Sequence, residues 1–539
     1  MSTPSPIALT GIFLVIIGVL SGLPYLKGGL FLDSHEADVY HLLDISFRMT
    51  DGQMPHLDFA TPLGILAFSP IVAFLKAGLP FGAAFMASQL SLALLLLPFV
   101  VYAASSRLPY RQSAVFGGIV FALVLILTYL QASSGVTVAM HYNRWSWAVA
   151  FVALLLAFVP PQGVARPKLD GVLIGVLAFA LMLTKMTFFV ALVPAMVAVL
   201  FVRKQRVAVG VALGVGVALI ALTIPILGVD FWNAYVADLL NVTGSDVRPH
   251  VGLPLGEMVS GAQYIGATLT GVAAAMLIRR ADHDALGLVV FALLLPGVIY
   301  VSFQNFGNDP TWLLFLAFLV LAYRPKTGFA TVMGVDLRGA MNVISLVAVL
   351  INLPSLYTSA LSPIEHFAFD ESRFMPFLDD PAHNDLFVRR DRAHLMTATI
   401  ALDDAPGVWE KYREDAGRSD IPEVAGVQFP MCELGAGSRA YMSEVAAQLV
   451  TDGIPAGSQF FSTGLLSAFW LYGDFAPLKS GAPWYYGDLT GLENADYVLI
   501  PKCVYVERVR RLMIADLQNA NTPLTLLHDN ALYALYEVR

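Results

Sequence analysis

In the stretch FLDSHEADVYHLLDISFRMT, directly behind the first long apolar run, Asp33, His35, Glu36 and Asp38 gather three carboxylates and an imidazole in one hexapeptide. Carboxylates this dense suit a base that takes the proton from a hydroxyl. They also suit an oxygen cage for a divalent cation such as Mg or Mn. A structural reading stands beside these: Asp33 or Ser34 as an N-cap and Glu36 as a first-turn acid. That reading needs one carboxylate and leaves the others unexplained. On a helix over 37–49, Val39, Leu42, Leu43, Ile45 and Met49 form an apolar stripe, with Asp38, His41, Asp44 and Arg48 opposite. This pattern predicts a helix lying in the membrane interface plane.

A second set of residues suits an anion. In MHYNRW, His141, Tyr142, Asn143 and Arg144 stand directly before an apolar run. Arg144 offers bidentate donors for a phosphate and His141 a further one. The alternative is an interfacial belt of Tyr142, Trp145 and Trp147 with Arg144 snorkelling. Lys185 lies in LMLTKMTFF, in the middle of the apolar stretch 171–202. An ionisable group there marks a functional site unless it snorkels from the turn of a short hairpin. NVTGSDVRPH carries Asp246, Arg248 and His250, as a binding loop or a solvated one. QNFGNDPTW carries Gln304, Asn305, Asn308 and Asp309 beside Phe306 and Trp312. Amides, an acid and rings suit sugar hydroxyls and stacking; the alternative is turn and cap chemistry.

The elements that must position these residues follow from composition. The 539 residues are 57% hydrophobic and 13% charged, with a mean hydropathy of +0.68; a soluble domain is about a quarter charged. Apolar runs of spanning length recur. The fold class is therefore a polytopic α-helical membrane bundle, since barrel strands would alternate. Eleven spans are expected: 7–26, 82–105, 112–130, 145–160, 171–184, 187–202, 207–228, 257–279, 285–302, 311–324 and 330–352. The first run has no basic n-region and no small-residue cleavage pattern, so it reads as a span. Basic residues at 107/111, 166/168, 203–206, 279/280 and 324/326 place those loops in the cytoplasm. Loops 27–60, 131–144, 229–256 and 303–310 then face outward. The stretch 63–78 fits that topology as an interfacial helix, not a twelfth span.

Residues 1–355 form the membrane module and 356–539 a C-terminal α/β domain on the outer side. SQFFSTG and ADYVLIPK read as strands, VERVRRLMIADLQNA as a helix and TLLHDNALYALYEV as a closing hairpin. Cys432 and Cys503 have no metal-binding spacing. The outer side permits a disulfide, but two unpaired buried thiols are the expectation. The net charge of −8 and the lack of a basic tract leave no footprint for nucleic acid.

The first outward loop continues as GQMPHLDFATPLG, with Gly52, Pro55, Asp58, Phe59, Pro62 and Gly64. An acidic start, an amphipathic helix and this G-x-x-P-x-x-D-F-x-x-P-x-G segment resemble the GT-C superfamily. These are integral-membrane glycosyltransferases that use polyprenyl-phosphate sugars. The resemblance implies inverting transfer of a sugar from a polyprenyl phosphate to a lipid or cell-envelope glycan. It implies a place among the lipids of a bacterial inner membrane, with the C-terminal domain periplasmic, and no obligatory metal. It implies a base at Asp33, with Glu36 second. Lys185, Arg144 and His141 would hold the phosphate. His35, Asp38, Asp58, Tyr142, Asn143, Arg248, Asn305, Asn308 and Asp309 would bind substrate. The next outward loop lacks the second carboxylate that many members carry. Two other classes compete: an O-antigen ligase or polymerase, which relies on a later arginine-rich loop, and a transporter, which predicts repeats and mid-membrane charges. Neither pattern is visible here.

Overall fold

The computed structural model describes residues 5–130, 135–245, 254–305, 309–326, 331–332 and 335–538. Arg248 and Asn308 lie outside the described residues. The chain opens with helix α1 (Pro6–Lys27), capped at Gly28 with φ 79°. It passes through α2 (Glu36–Thr50), α3 (Ser69–Lys76), α4 (Phe81–Arg107), α5 (Tyr110–Leu125), α6 (His141–Phe158), α7 (Pro167–Thr184), α8 (Met186–Val202), α9 (Arg206–Leu227) and α10 (Val229–Gly244). Then come α11 (Leu255–Ser260), α12 (Ala262–Arg280), α13 (Asp284–Val289), α14 (Leu295–Gln304), α15 (Trp312–Ala322), α16 (Leu337–Ile351) and α17 (Leu353–Ala368).

Among the described residues, five helices are long and apolar enough to cross a membrane: α1, α4, α7, α9 and the run Asp284–Gln304. The pair α16–α17, bent by 51°, makes a sixth. Helices α5, α8 and α15 are apolar but shorter, so spanning length supports five or six of the eleven expected spans. With eight residues, α3 is about 12 Å long, too short for a hydrocarbon core of about 30 Å. Helix α6 is apolar on nearly every face and is buried along nearly its whole length, as is α15. Phe315 packs between Phe151 and Phe158, at centroid distances of 6.0 and 6.2 Å. Such helices belong at the centre of a bundle. Glycine sets another close contact: a Cβ on Gly171 or Gly175 would stand 2.6 Å from the backbone oxygen of Ala208 or Ala212. This lets α7 and α9 touch backbone to backbone.

The region after α17 contains sheet. Its main sheet sets Phe460–Ser462 parallel to Tyr497–Pro501, then Tyr533–Val538 and Leu524–Asp529 antiparallel beyond it. These are the two strands and the hairpin expected from sequence, with the helix Glu507–Asn519 between them. The bundle and this region interlock. Leu30–Leu32, from the loop after α1, pairs in parallel with Leu386–Arg389, and Lys27 Nζ donates to the Phe369 carbonyl at 2.6 Å.

Two expectations are corrected. Cys432 and Cys503 are not free thiols but a disulfide. The backbone brings them together: Leu434 N–H donates to Val504 O and Val504 N–H to Cys432 O, at 2.8 and 3.1 Å. The polar face of α2 does not meet water either. Asp44 and Arg48 are each 1% exposed and pair with each other at 2.5 Å. The C-terminal region covers them: Trp470 Nε1 donates to Asp44 at 3.0 Å and Arg48 Nη1 to the Leu478 carbonyl at 2.8 Å. A tertiary partner, not solvent, satisfies that face.

Candidate functional site

Helix α2 begins at Glu36, and its N-cap is His35, held left-handed at φ 63° with no side-chain cap. The capping roles expected for Asp33 or Ser34 are therefore not filled. The His35 ring stacks on Tyr129 at 4.8 Å and 8°. Both Glu36 oxygens are engaged by Arg392, at 2.5 and 2.7 Å, across 356 residues of sequence. Asp33 is half-buried beside Ser34 and Gly135. Its N–H donates to Val136 O at 3.0 Å, and burial raises its carboxyl above the usual range.

Asp38 faces elsewhere. It lines a cavity of about 660 Å³ that Asp33 and Glu36 do not line. Burial pushes its carboxyl up to about 7, against the opposing pull of the Met140 N–H that donates to it. Met140 is the residue before α6 and is itself left-handed, at φ 47°. The start of α6 thus places Tyr142 and Asn143 beside α2.

Across the cavity wall stands Lys185, one extended residue between α7 and α8. It is 9% exposed. Its Nζ donates to Asn143 Oδ1 at 2.7 Å and to Asn305 Oδ1, and lies 5.2 Å from the Tyr142 ring centroid. Four residues proposed from three separate loops therefore meet at one ammonium. The GQMPHLDFATPLG segment holds this break in place. Gly64 N–H donates to Thr184 O at 3.3 Å, and a Cβ on Gly64 would stand 2.0 Å from the Leu183 oxygen. Only glycine allows that approach. Within the same segment Asp58 closes a turn, accepting from Met54 N–H at 2.7 Å. His56 pairs with Asp238 of α10 at 2.8 Å.

The remaining sequence candidates lie apart. His141 spends Nε2 on the Ala67 carbonyl at 2.8 Å. Arg144 is buried in the bundle and donates to the Thr128 carbonyl. Neither lines the cavity. Asp309 accepts from Gln263 at 3.2 Å and from Ser355 of α17, and so ties its loop to the bent pair.

The cavity roof was not foreseen. Leu465, Trp484, Tyr486 and Tyr505 come down from the C-terminal region, and Tyr129 and His41 complete the wall. The readable signal was GAPWYYGD, an aromatic run inside a glycine- and proline-bearing loop. Among the described residues no three His, Cys, Asp or Glu side chains converge to hold a metal ion. With Glu36 held by Arg392 and His35 stacked on Tyr129, DSHEAD does not fit a divalent cation.

No family model matches the chain, and no curated protein matches it. Among solved structures it is similar to the cryo-EM structure of arabinofuranosyltransferase AftD from Mycobacteria, at 10% identity and a TM-score of 0.39. The match covers 100% of this chain and 40% of that one, so the chain spans well under half the length of its structural neighbour.

Proposed function

We propose that the chain is an integral-membrane glycosyltransferase. It passes a sugar from a polyprenyl-phosphate donor to a hydroxyl of a lipid or envelope glycan on the outer face. The observation that carries this reading is the pairing, in one aromatic-walled cavity, of Asp38, poised near pH 7, with Lys185. A base poised near the working pH is the most effective proton acceptor. Asp38 takes the proton of the acceptor hydroxyl, in the place first assigned to Asp33. The acceptor oxygen forms its bond to the anomeric carbon as the bond to the polyprenyl phosphate breaks, with inversion. The phosphate leaves with that electron pair, and the Lys185 ammonium compensates its charge. Asn143 and Asn305 hold Lys185 in position, and rings such as Trp484 and Tyr142 offer flat apolar faces to a sugar. The C-terminal region closes the acceptor side. The basic loops set the site outward, in the periplasm if the membrane is a bacterial inner one.

The test is transfer of labelled sugars from a panel of polyprenyl-phosphate pentoses and hexoses by the purified chain in liposomes. Turnover of at least one donor, lost in Lys185→Met, is expected. If wild type consumes none of the panel, the transferase reading fails.

A further inference from the structure

The stretch 395–412 of the C-terminal region wears its apolar side chains outward. Leu395, Ile400, Leu402, Val408, Trp409 and Tyr412 are all exposed, Val408 by 72% and Trp409 by 53%. Scattered apolar side chains on a surface are ordinary, but a run of them marks an interaction surface. The stretch is held in shape. Thr397–Ile400 pairs antiparallel with Cys432–Ala436. The two short helical turns Leu402–Asp404 and Glu410–Tyr412 are tied by Arg413 Nε, which donates to Asp404 at 3.0 Å. Arg418 pairs with the same carboxylate at 3.4 Å, and Met431 N–H donates to it at 2.8 Å. The Asp404 charge thus points inward while Leu402, two residues before it, points outward. Trp409 and Tyr412 lie together, their ring centroids 6.0 Å apart.

The tether of this patch points to what covers it. Leu30–Leu32 follows the spanning helix α1, and Phe374–Pro376 follows α17, the second half of the bent span. Both pair with Leu386–Arg389, so this sheet rests where two spans leave the bundle. Its middle strand runs straight into Arg390–His394, whose Arg392 grips Glu36. Leu395 is the next residue, within about 11 Å of Arg392 along the chain. Aliphatic side chains joined by a Trp and a Tyr suit the headgroup level of a bilayer. The stretch carries Asp403, Asp404 and Glu410 against Lys411 alone, so anionic lipid gives it no electrostatic pull. A sugar platform fits less well: the stretch holds no Asn or Gln, and Lys411 Nζ lies 5.0 Å from the Tyr412 ring centroid. We propose that 395–412 dips into the adjacent leaflet as a shallow apolar anchor. It holds the C-terminal region, and with it the roof residues Trp484, Tyr486 and Tyr505, down over the cavity. The anchor goes beyond the transferase reading and does not depend on it.

The test is spin labelling of the full chain in nanodiscs of phosphatidylcholine. The chain has two cysteines and they are joined, so Leu402→Cys, Val408→Cys or Trp409→Cys supplies a single free thiol. These exposed positions leave the Asp404 pairs intact. Labels there should collide with oxygen far more than with a water-soluble nickel chelate. They should sit about 5–10 Å into the headgroup and acyl boundary. Adding Leu402→Glu and Trp409→Glu to Val408→Cys should raise nickel access severalfold. Phosphatidylglycerol in the nanodisc should leave the depth unchanged, and a depth that appears only with it would overturn the apolar anchor. Free nickel access in pure phosphatidylcholine would place the patch in water. Exclusion of both oxygen and nickel would place it against protein, such as a second copy of the chain. Either result overturns the proposal.

Discussion

Replacing Asp38 by asparagine separates catalysis from folding, because the two should move in opposite directions. The Asp38 carboxyl stands near 7 instead of 3.8, and burial is the main cause. The folded chain therefore holds this proton more tightly than the unfolded chain. The stabilisation this gives is fully present below pH 3.8, and it is lost as the pH rises through 7. The displacement spans roughly three pH units at about 1.4 kcal/mol each, so ionising Asp38 costs the fold about 4 kcal/mol above pH 7. Asparagine keeps the shape and the amide from Met140 but carries no charge. At pH 8 the Asp38→Asn protein should unfold at a higher temperature than wild type, and at pH 4 the two should coincide. Transfer by the variant should fall about 10²- to 10⁴-fold, the usual worth of a general base. Wild-type turnover should rise with pH through a midpoint near 7. Thermal unfolding in detergent and transfer in liposomes, both across pH 4–9, read the two effects. A variant that keeps full turnover, or that loses activity and stability together at pH 8, would refute the reasoning.

Four further outcomes follow from the same contacts. Glu36→Gln should keep turnover within severalfold, because Glu36 is bound to Arg392 and not to the cavity; a loss as deep as that of Asp38→Asn would return the base to Glu36. Arg48→Met leaves Asp44 buried without its cation and should cost about 3–5 kcal/mol in urea or thermal unfolding. Gly64→Ala drives a Cβ onto the Leu183 backbone and should cost about 1–3 kcal/mol, lowering turnover by displacing Lys185. Reducing the Cys432–Cys503 disulfide, which closes a loop of 71 residues, should cost about 4 kcal/mol by chain entropy, measured as a fall in unfolding temperature with reductant.

Much of the architecture was legible because periodicity is a local property. The apolar runs, the α2 register and the terminal hairpin follow from residue spacing alone. That Lys185 would need buried partners was legible too, since an ammonium inside an apolar run needs them wherever the chain folds. What spacing could not supply was which partner arrives from far along the chain. Glu36 looks like a free acid until Arg392 reaches it, and Asp44 and Arg48 look solvated until Trp470 covers them. Spacing ranks Asp33 first as a base, and that Asp38 rather than Asp33 lines the cavity was not legible for the same reason. The helix starts at Glu36, so Asp38 turns toward α6 while Asp33 stays in the loop before it. The disulfide likewise depends on backbone contacts between Cys432, Leu434 and Val504.

The most direct test is a cryo-EM structure of the Asp38→Asn protein holding a polyprenyl-phosphate sugar that wild type consumes. The account predicts the phosphate within hydrogen-bond reach of Lys185 Nζ and the sugar between Trp484 and position 38. Donor density against Asp33, or a phosphate bound away from Lys185, would contradict it.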